Sequence, residues 1–118
     1  MEYIRVRSIE DPRFAEMHRL MSTIFPPEEV LAFELWQEAL EDPDIHVYVA
    51  VHNDAVVGAT EYRYYPEMRV AMTDFTIIGA MGLGIGRFLY VERSRDLERL
   101  QRLSGTESIG MFAEIYRP

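Results

Sequence analysis

The sequence predicts a mixed α/β fold built on a largely antiparallel sheet. Three observations point to it. Period-two alternation recurs in short segments, most clearly at 45–52, where Ile45, Val47, Val49 and Val51 alternate with His46, Tyr48, Ala50 and His52. Apolar residues recur at helical spacing in other stretches, with Phe14, Met17, Met21 and Ile24 as one run. The two kinds interleave in the order β-α-α-β-β-β-α-β, which stacks helices on one mixed sheet with a short antiparallel meander and one crossover helix.

The elements follow from the residues in turn. The segment 3–9 alternates, with Ile4 and Val6 on one face, and reads as a first strand. Asp11-Pro12 starts a helix, Asp11 as its cap and Pro12 at its first position. Pro26-Pro27 ends that helix and opens a second, with Glu28 and Glu29 in its first turn and Val30, Phe33, Trp36 and Leu40 as its apolar stripe. Asp42-Pro43-Asp44 is a loop, and Asn53-Asp54 marks a hairpin turn between the strands 45–52 and 56–65. Pro66-Glu67 breaks the return strand, and 69–78 is the next. The stretch 85–103 is a helix offering Leu89, Leu97, Leu100 and Leu103 for packing, with Glu98 and Arg102 as an i,i+4 pair. Ser104-Gly105-Thr106 stops it, and 109–116 is a last strand.

The 118 residues amount to one small domain, and a 48% hydrophobic content supports a packed core. Lys and Arg number 12 against 20 Asp and Glu, a formal charge of -8. That balance argues against nucleic acid and against anionic membrane surfaces as partners. It serves solubility first and the attraction of a cationic acceptor second. There is no cysteine, which excludes disulfides, zinc ribbons and thiol catalysis. His18, His46 and His52 show no ligand spacing, so no metal is expected, and His46 and His52 are read as solvated or hydrogen-bonded surface residues. The start, Met1-Glu2-Tyr3-Ile4-Arg5, is too polar to open a signal peptide, and the apolar runs are far short of a membrane span. A cytoplasmic location is expected.

The strand-to-helix turn at 77–87 carries three alternating glycines, Gly82, Gly84 and Gly86. Glycines there let an anion approach the backbone, and the first N–H groups of the following helix point at it. A phosphate or pyrophosphate is the expected ligand; a tight turn with no ligand is the alternative. The dinucleotide fingerprint fails, because the sixth position from Gly82 is Arg87 and from Gly84 is Leu89. No lysine follows these glycines, so a nucleotide P-loop fails too.

In these residues the chain resembles the GCN5-related N-acetyltransferase (GNAT) family, whose coenzyme A motif is Gln/Arg-x-x-Gly-x-Gly/Ala at such a turn. Met81-Gly82-Leu83-Gly84-Ile85-Gly86 fits the frame, with Met81 at the Gln/Arg position. Val56-Val57-Gly58-Ala59 is similar to the family's third strand, and the element order matches; 73–78 lacks the family's frequent Val-x-Pro. The resemblance implies acetyl-CoA as co-substrate, held by Gly82, Leu83, Gly84, Ile85, Gly86 and Arg87, with the backbone of Ile77 and Ile78 meeting the pantetheine arm. It implies direct attack of an amine on the thioester, the acceptor being a small molecule or a peptide. Glu61 and Asp74 are then the candidate bases and Glu114 a third, although each also reads as an exposed strand residue or ion-pair partner. Tyr62, Tyr64 and Tyr65 read either as lining the acceptor cleft or as cross-strand packing. Phe25-Pro26-Pro27-Glu28-Glu29 lies where the family's first two helices border the acceptor site.

The family continues past the strand 109–116, so the resemblance implies a single acetyltransferase-like domain, 1–118, incomplete at its C-terminus. The leaving-group tyrosine would belong to that further segment. An uncovered sheet edge leads us to expect a homo-oligomer, a dimer above all, unless the N-terminal strand closes that edge. The two functional readings are an acyl-CoA-dependent N-acyltransferase and a non-catalytic module that binds CoA or a partner.

Overall fold

Asp11 is where local chemistry first fixes the chain. In the computed structural model, which describes residues 1–68, 70–104 and 110–112, its carboxylate accepts the N–H of Arg13 at 3.0 Å. A cap of this kind stabilises a helix by about 1 kcal/mol. With Pro12 at the first helical position it opens helix α1, Pro12–Ile24, which follows strand β1, Glu2–Arg5. The remaining elements are α2 (Trp36–Glu41), β2 (Ile45–His52), β3 (Ala55–Tyr65), β4 (Val70–Ile78), α3 (Ile85–Ser104) and β5 (Gly110–Phe112). The order β-α-α-β-β-β-α-β is the one the sequence predicts.

Three boundaries differ. β1 stops at Arg5, although Val6 continues the pairing with one hydrogen bond to Val47 O at 2.8 Å. The second helix does not begin at Pro26-Pro27. Pro27–Glu29 and Phe33–Leu35 are single 3-10 turns, and only Trp36–Glu41 is α-helical. Two prolines remove donors at the start, and neither 3-10 turn has a side-chain cap, so tertiary packing of Phe33, Trp36 and Leu40 sets the path. The expected last strand is described over Gly110–Phe112; Arg69, Glu114 and the remainder of 113–118 lie outside the described residues.

The strands lie in the order β1-β2-β3-β4-β5. The first four are antiparallel, and β5 runs parallel to β4 because a whole helix connects them. β1 takes the edge beside β2, so it does not cover the β5 side. Asn53 and Asp54 turn the β2–β3 hairpin with φ of 51° and 63°, the left-handed pair of a type I′ turn.

Both faces of the sheet are covered, which creates two layers of core. On one face α1 and α2 bring Phe14, Met17 and Trp36 against Val47, Val49 and Ile77. On the other, α3 sets Ile85 and Leu89 on Ala50 and Ile78, and Leu97 on Tyr62 and Tyr64. Leu103 is exposed, unlike the other leucines expected to pack. The ion pairs of α3 among the described residues join Arg95 to Glu92 and Arg99 to Asp96, rather than Glu98 to Arg102. α3 also covers His46, which is 4% exposed where the alternation suggested a surface residue. Among the described residues no helix is long and apolar enough to cross a membrane.

α3 reaches the sheet at Gly58. A Cβ built there would stand 2.6 Å from Ile85 Cγ2 and 2.8 Å from the Ile77 carbonyl. Gly58→Ala is therefore expected to push the start of α3 off the sheet. The cost should be about 1–3 kcal/mol, the usual range for overpacking, and the urea midpoint reads it. An unchanged midpoint would contradict the close approach.

Candidate functional site

The glycine turn leaves the sheet where β4 ends. Gly79 N–H makes the last rung to Val57 O at 2.8 Å. Gly82 and Gly84 then adopt left-handed φ of 83° and 68°, which strongly favour glycine. A Cβ at either would meet nothing within 4 Å, so the space over the turn is open. Gly86 has another purpose: a Cβ there would lie 3.0 Å from Ile78 Cδ1, so this glycine seats α3 on β4. Gly84 O accepts from Phe88 N–H at 3.0 Å and begins the helical ladder. Helix geometry thus leaves the N–H groups of Ile85, Gly86 and Arg87 without carbonyls inside α3. Room and unpaired amides at a helix start fit a pyrophosphate. Met81, Leu83 and Arg87 are exposed at the rim.

The edge of β4 leads into this turn. Among the described residues β5 pairs only with Val70, Ala71 and Met72. Backbone groups alternate along a strand, and the Gly79 bond to β3 sets the phase. Ile77 therefore turns its N–H and C=O toward β3, while Ile78 and Thr76 turn theirs to the opposite edge. Of the two isoleucines taken from the resemblance, only Ile78 has backbone groups on that side.

Between these features β4 carries an extra residue. Glu61 faces Phe75 and Tyr62 faces Thr73, so Asp74 has no partner across the ladder. The bulge brings the Asp74 carboxylate into a hydrogen bond with Glu61. Arg63 closes the group, its Nε donating to Asp74 Oδ2 at 2.7 Å and its Nη2 lying 3.9 Å from Glu61 Oε1. Glu61 is 6% exposed. Burial, then the charge and hydrogen bond of Asp74, push its carboxyl up to about 8, with Arg63 opposing. Such a pair shares a proton near neutrality and takes one up or gives one away as pH changes. Beside it lies a cleft of about 260 Å³ lined by Met21, Phe25, Glu29, Asp74 and Phe75.

The structure brings Glu61 and Asp74 together and leaves Gly82 to Arg87 at the far end of the same strand. Arg63 and the bulge were missed. The available signal was Arg63 two positions after Glu61 on a strand, hence on the same face. The tyrosines divide. Tyr62 and Tyr64 are buried under α3, away from the cleft; Tyr65 is half-buried and hydrogen-bonds Arg63. Tyr62 donates to Asp96 Oδ2 at 2.5 Å and stacks with His46 and Tyr48, so its role is packing. Burial lowers His46 to about 4, and the ring stays neutral. Glu114 lies outside the described residues. Among the described residues no group of three His, Asp or Glu is placed to hold a metal ion.

No family model and no curated protein sequence matches the chain. Solved structures do. An aminoglycoside acetyltransferase from an uncultured soil metagenomic sample, in complex with sisomicin, is 21% identical with a TM-score of 0.68, over 96% of this chain and 76% of that one. The ribosomal-protein-alanine N-acetyltransferase of Brucella melitensis biovar Abortus is 15% identical with a TM-score of 0.68, over 99% and 79%. An acetyltransferase from Vibrio fischeri is 17% identical with a TM-score of 0.59, over 98% and 96%. The chain has the fold of the GNAT acetyltransferases over most of its length.

The raised Glu61 carboxyl has a stability consequence. Between about pH 4.5 and about 8 the folded chain keeps a proton that the unfolded chain loses. That contribution is full below the lower value and lost as pH rises through the upper one. Glu61→Gln has no proton to lose, so the difference in urea stability between variant and parent should shift in the variant's favour as pH rises from 5 to 8. A difference that stays flat with pH would contradict the raised value.

Proposed function

We propose that this chain is an acyl-CoA-dependent N-acyltransferase that moves an acetyl group from acetyl-CoA to an amine by direct attack. The observation that supports this reading is that β4 links both halves of such a site: its bulge sets Asp74 beside Glu61 of β3, and, past the part of its edge that β5 leaves unpaired among the described residues, it runs into the glycine turn. Gly82, Gly84 and the amides of Ile85, Gly86 and Arg87 hold the pyrophosphate, and Ile78 offers backbone groups to the pantetheine arm. Acetyl-CoA supplies the activated acyl group. The Glu61–Asp74 pair takes a proton from the amine as the nitrogen bonds to carbon, and Arg63 pairs with Asp74 beside it. An ammonium loses two protons in becoming an amide; one ends on the departing sulfur and the other in solvent.

Calorimetry with CoA tests the binding half. Heat is expected for the parent chain. Gly84→Val, strained at φ 68° and closing the space above the turn, should weaken affinity by about tenfold or more. No heat for the parent at millimolar CoA would overturn the reading.

Thiol release tests the chemical half. The rate should rise with pH through about 8 as the pair loses its proton. Glu61→Gln should lower it by about 10²–10⁴-fold and remove that limb. An unchanged profile would assign the proton to another group.

A further inference from the structure

The cleft beside the carboxylate pair has walls and charges that select among amines. We propose that its occupant is a monocationic primary amine on an apolar stem, an arylalkyl- or alkylammonium, with Phe25, Phe75 and Met21 holding the stem and Glu29 the charge. This rests on the acyl-transfer reading and names the acceptor class for it.

Size is the first argument. An apolar cavity of about 150 Å³ seats one benzene ring. At about 260 Å³ this cleft takes a ring with a short chain, or a chain alone. The walls are the second. Phe25 and Phe75 meet edge to face with centroids 6.5 Å apart, and Met21 and Phe75 are buried. Aromatic rings attract an ammonium as well as a hydrocarbon stem. The polar side chains of the lining are Glu29 and Asp74, both carboxylates, so the walls offer no side-chain donor to a polyhydroxylated acceptor.

The charge count is the third argument. Asp74 is neutralised by Arg63 at 2.7 Å, and Glu61 holds the pair's shared proton near neutral pH. Glu29 is exposed on the turn Pro27–Glu29, and among the described residues no cation is within ion-pair distance of it. One uncompensated negative charge therefore faces the cleft, and it matches one ammonium rather than several. The amine enters as its cation, ordinarily with a pKa of about 10, and the pair accepts its proton only after releasing the one it shares, as the rise of rate with pH requires.

The single tryptophan gives a readout that needs no catalysis. Trp36 is buried with its ring 6.4 Å from that of Phe75, so an occupied cleft changes its emission. Phenethylamine titrated into the whole chain should shift that emission saturably, and Glu29→Gln should raise the apparent Kd by about tenfold. CoA affinity, set at the glycine turn, should be the same in both proteins. In a thiol-release assay phenethylamine should exceed sisomicin and an alanine-starting peptide in kcat/KM by about tenfold or more. No emission shift, an unchanged Kd in Glu29→Gln, or preference for sisomicin or the peptide would overturn the proposal. Emission and CoA heat without acetylation of any amine would instead overturn the acyl-transfer reading and leave the amine site standing.

Discussion

One surplus residue in β4 organises this molecule. Between Glu61↔Phe75 and Tyr62↔Thr73 the ladder has no partner for Asp74. A bulge bends its strand and increases the local twist. Here it has two consequences. It puts a carboxylate on the α1 face beside Glu61 and within reach of Arg63. It keeps Phe75 and Ile77 on that face, in the core with Trp36. A regular ladder continued from Thr73 would set Asp74 directly opposite Glu61 and turn Phe75 and Ile77 to the other face.

The opposite face supplies rigidity. α3 is pinned at its start by Gly58, which Ile85 and the Ile77 carbonyl approach too closely for a Cβ, and by Gly86, where a Cβ would press on Ile78 Cδ1 at 3.0 Å. Farther along, Tyr3, Tyr62 and Asp96 form a hydrogen-bonded chain, and Arg93 reaches Thr76 Oγ1 at 3.2 Å. Burial drives the Tyr62 hydroxyl far above its ordinary value, so it remains a donor to Asp96. Polar groups buried and paired in this way hold a helix in one register, since any slip would orphan them. The first turn of α3 is therefore a fixed set of amides at the end of a fixed strand.

Much of the architecture was legible because it rests on local signals. Asp11-Pro12, Asn53-Asp54 and Pro66-Glu67 each have a backbone mechanism, and each marks a real boundary. Residues 26–35 were misread because a helical stripe says what is buried, not that the backbone between is helical. His46 was misread because alternation cannot tell a solvated face from one that α3 covers. The glycine turn was legible as a motif, yet the separate task of Gly86 depends on Ile78, eight residues away. The bulge was invisible: no residue type announces it, and it exists only as a mismatch between two strands. Glu61 and Asp74 could be named singly, but their pairing and the place of Arg63 follow from that mismatch.

The account stands or falls on β4 and the turn acting as one binding surface. Backbone amide resonances followed during a CoA titration test this most directly. The account predicts that the largest shifts fall on Thr76, Ile78 and the amides from Gly82 to Arg87. It predicts that Ile77, turned toward β3, moves less than Ile78. Shifts that avoid the turn and the β4 edge, or that cluster around β1 and β2, would contradict it.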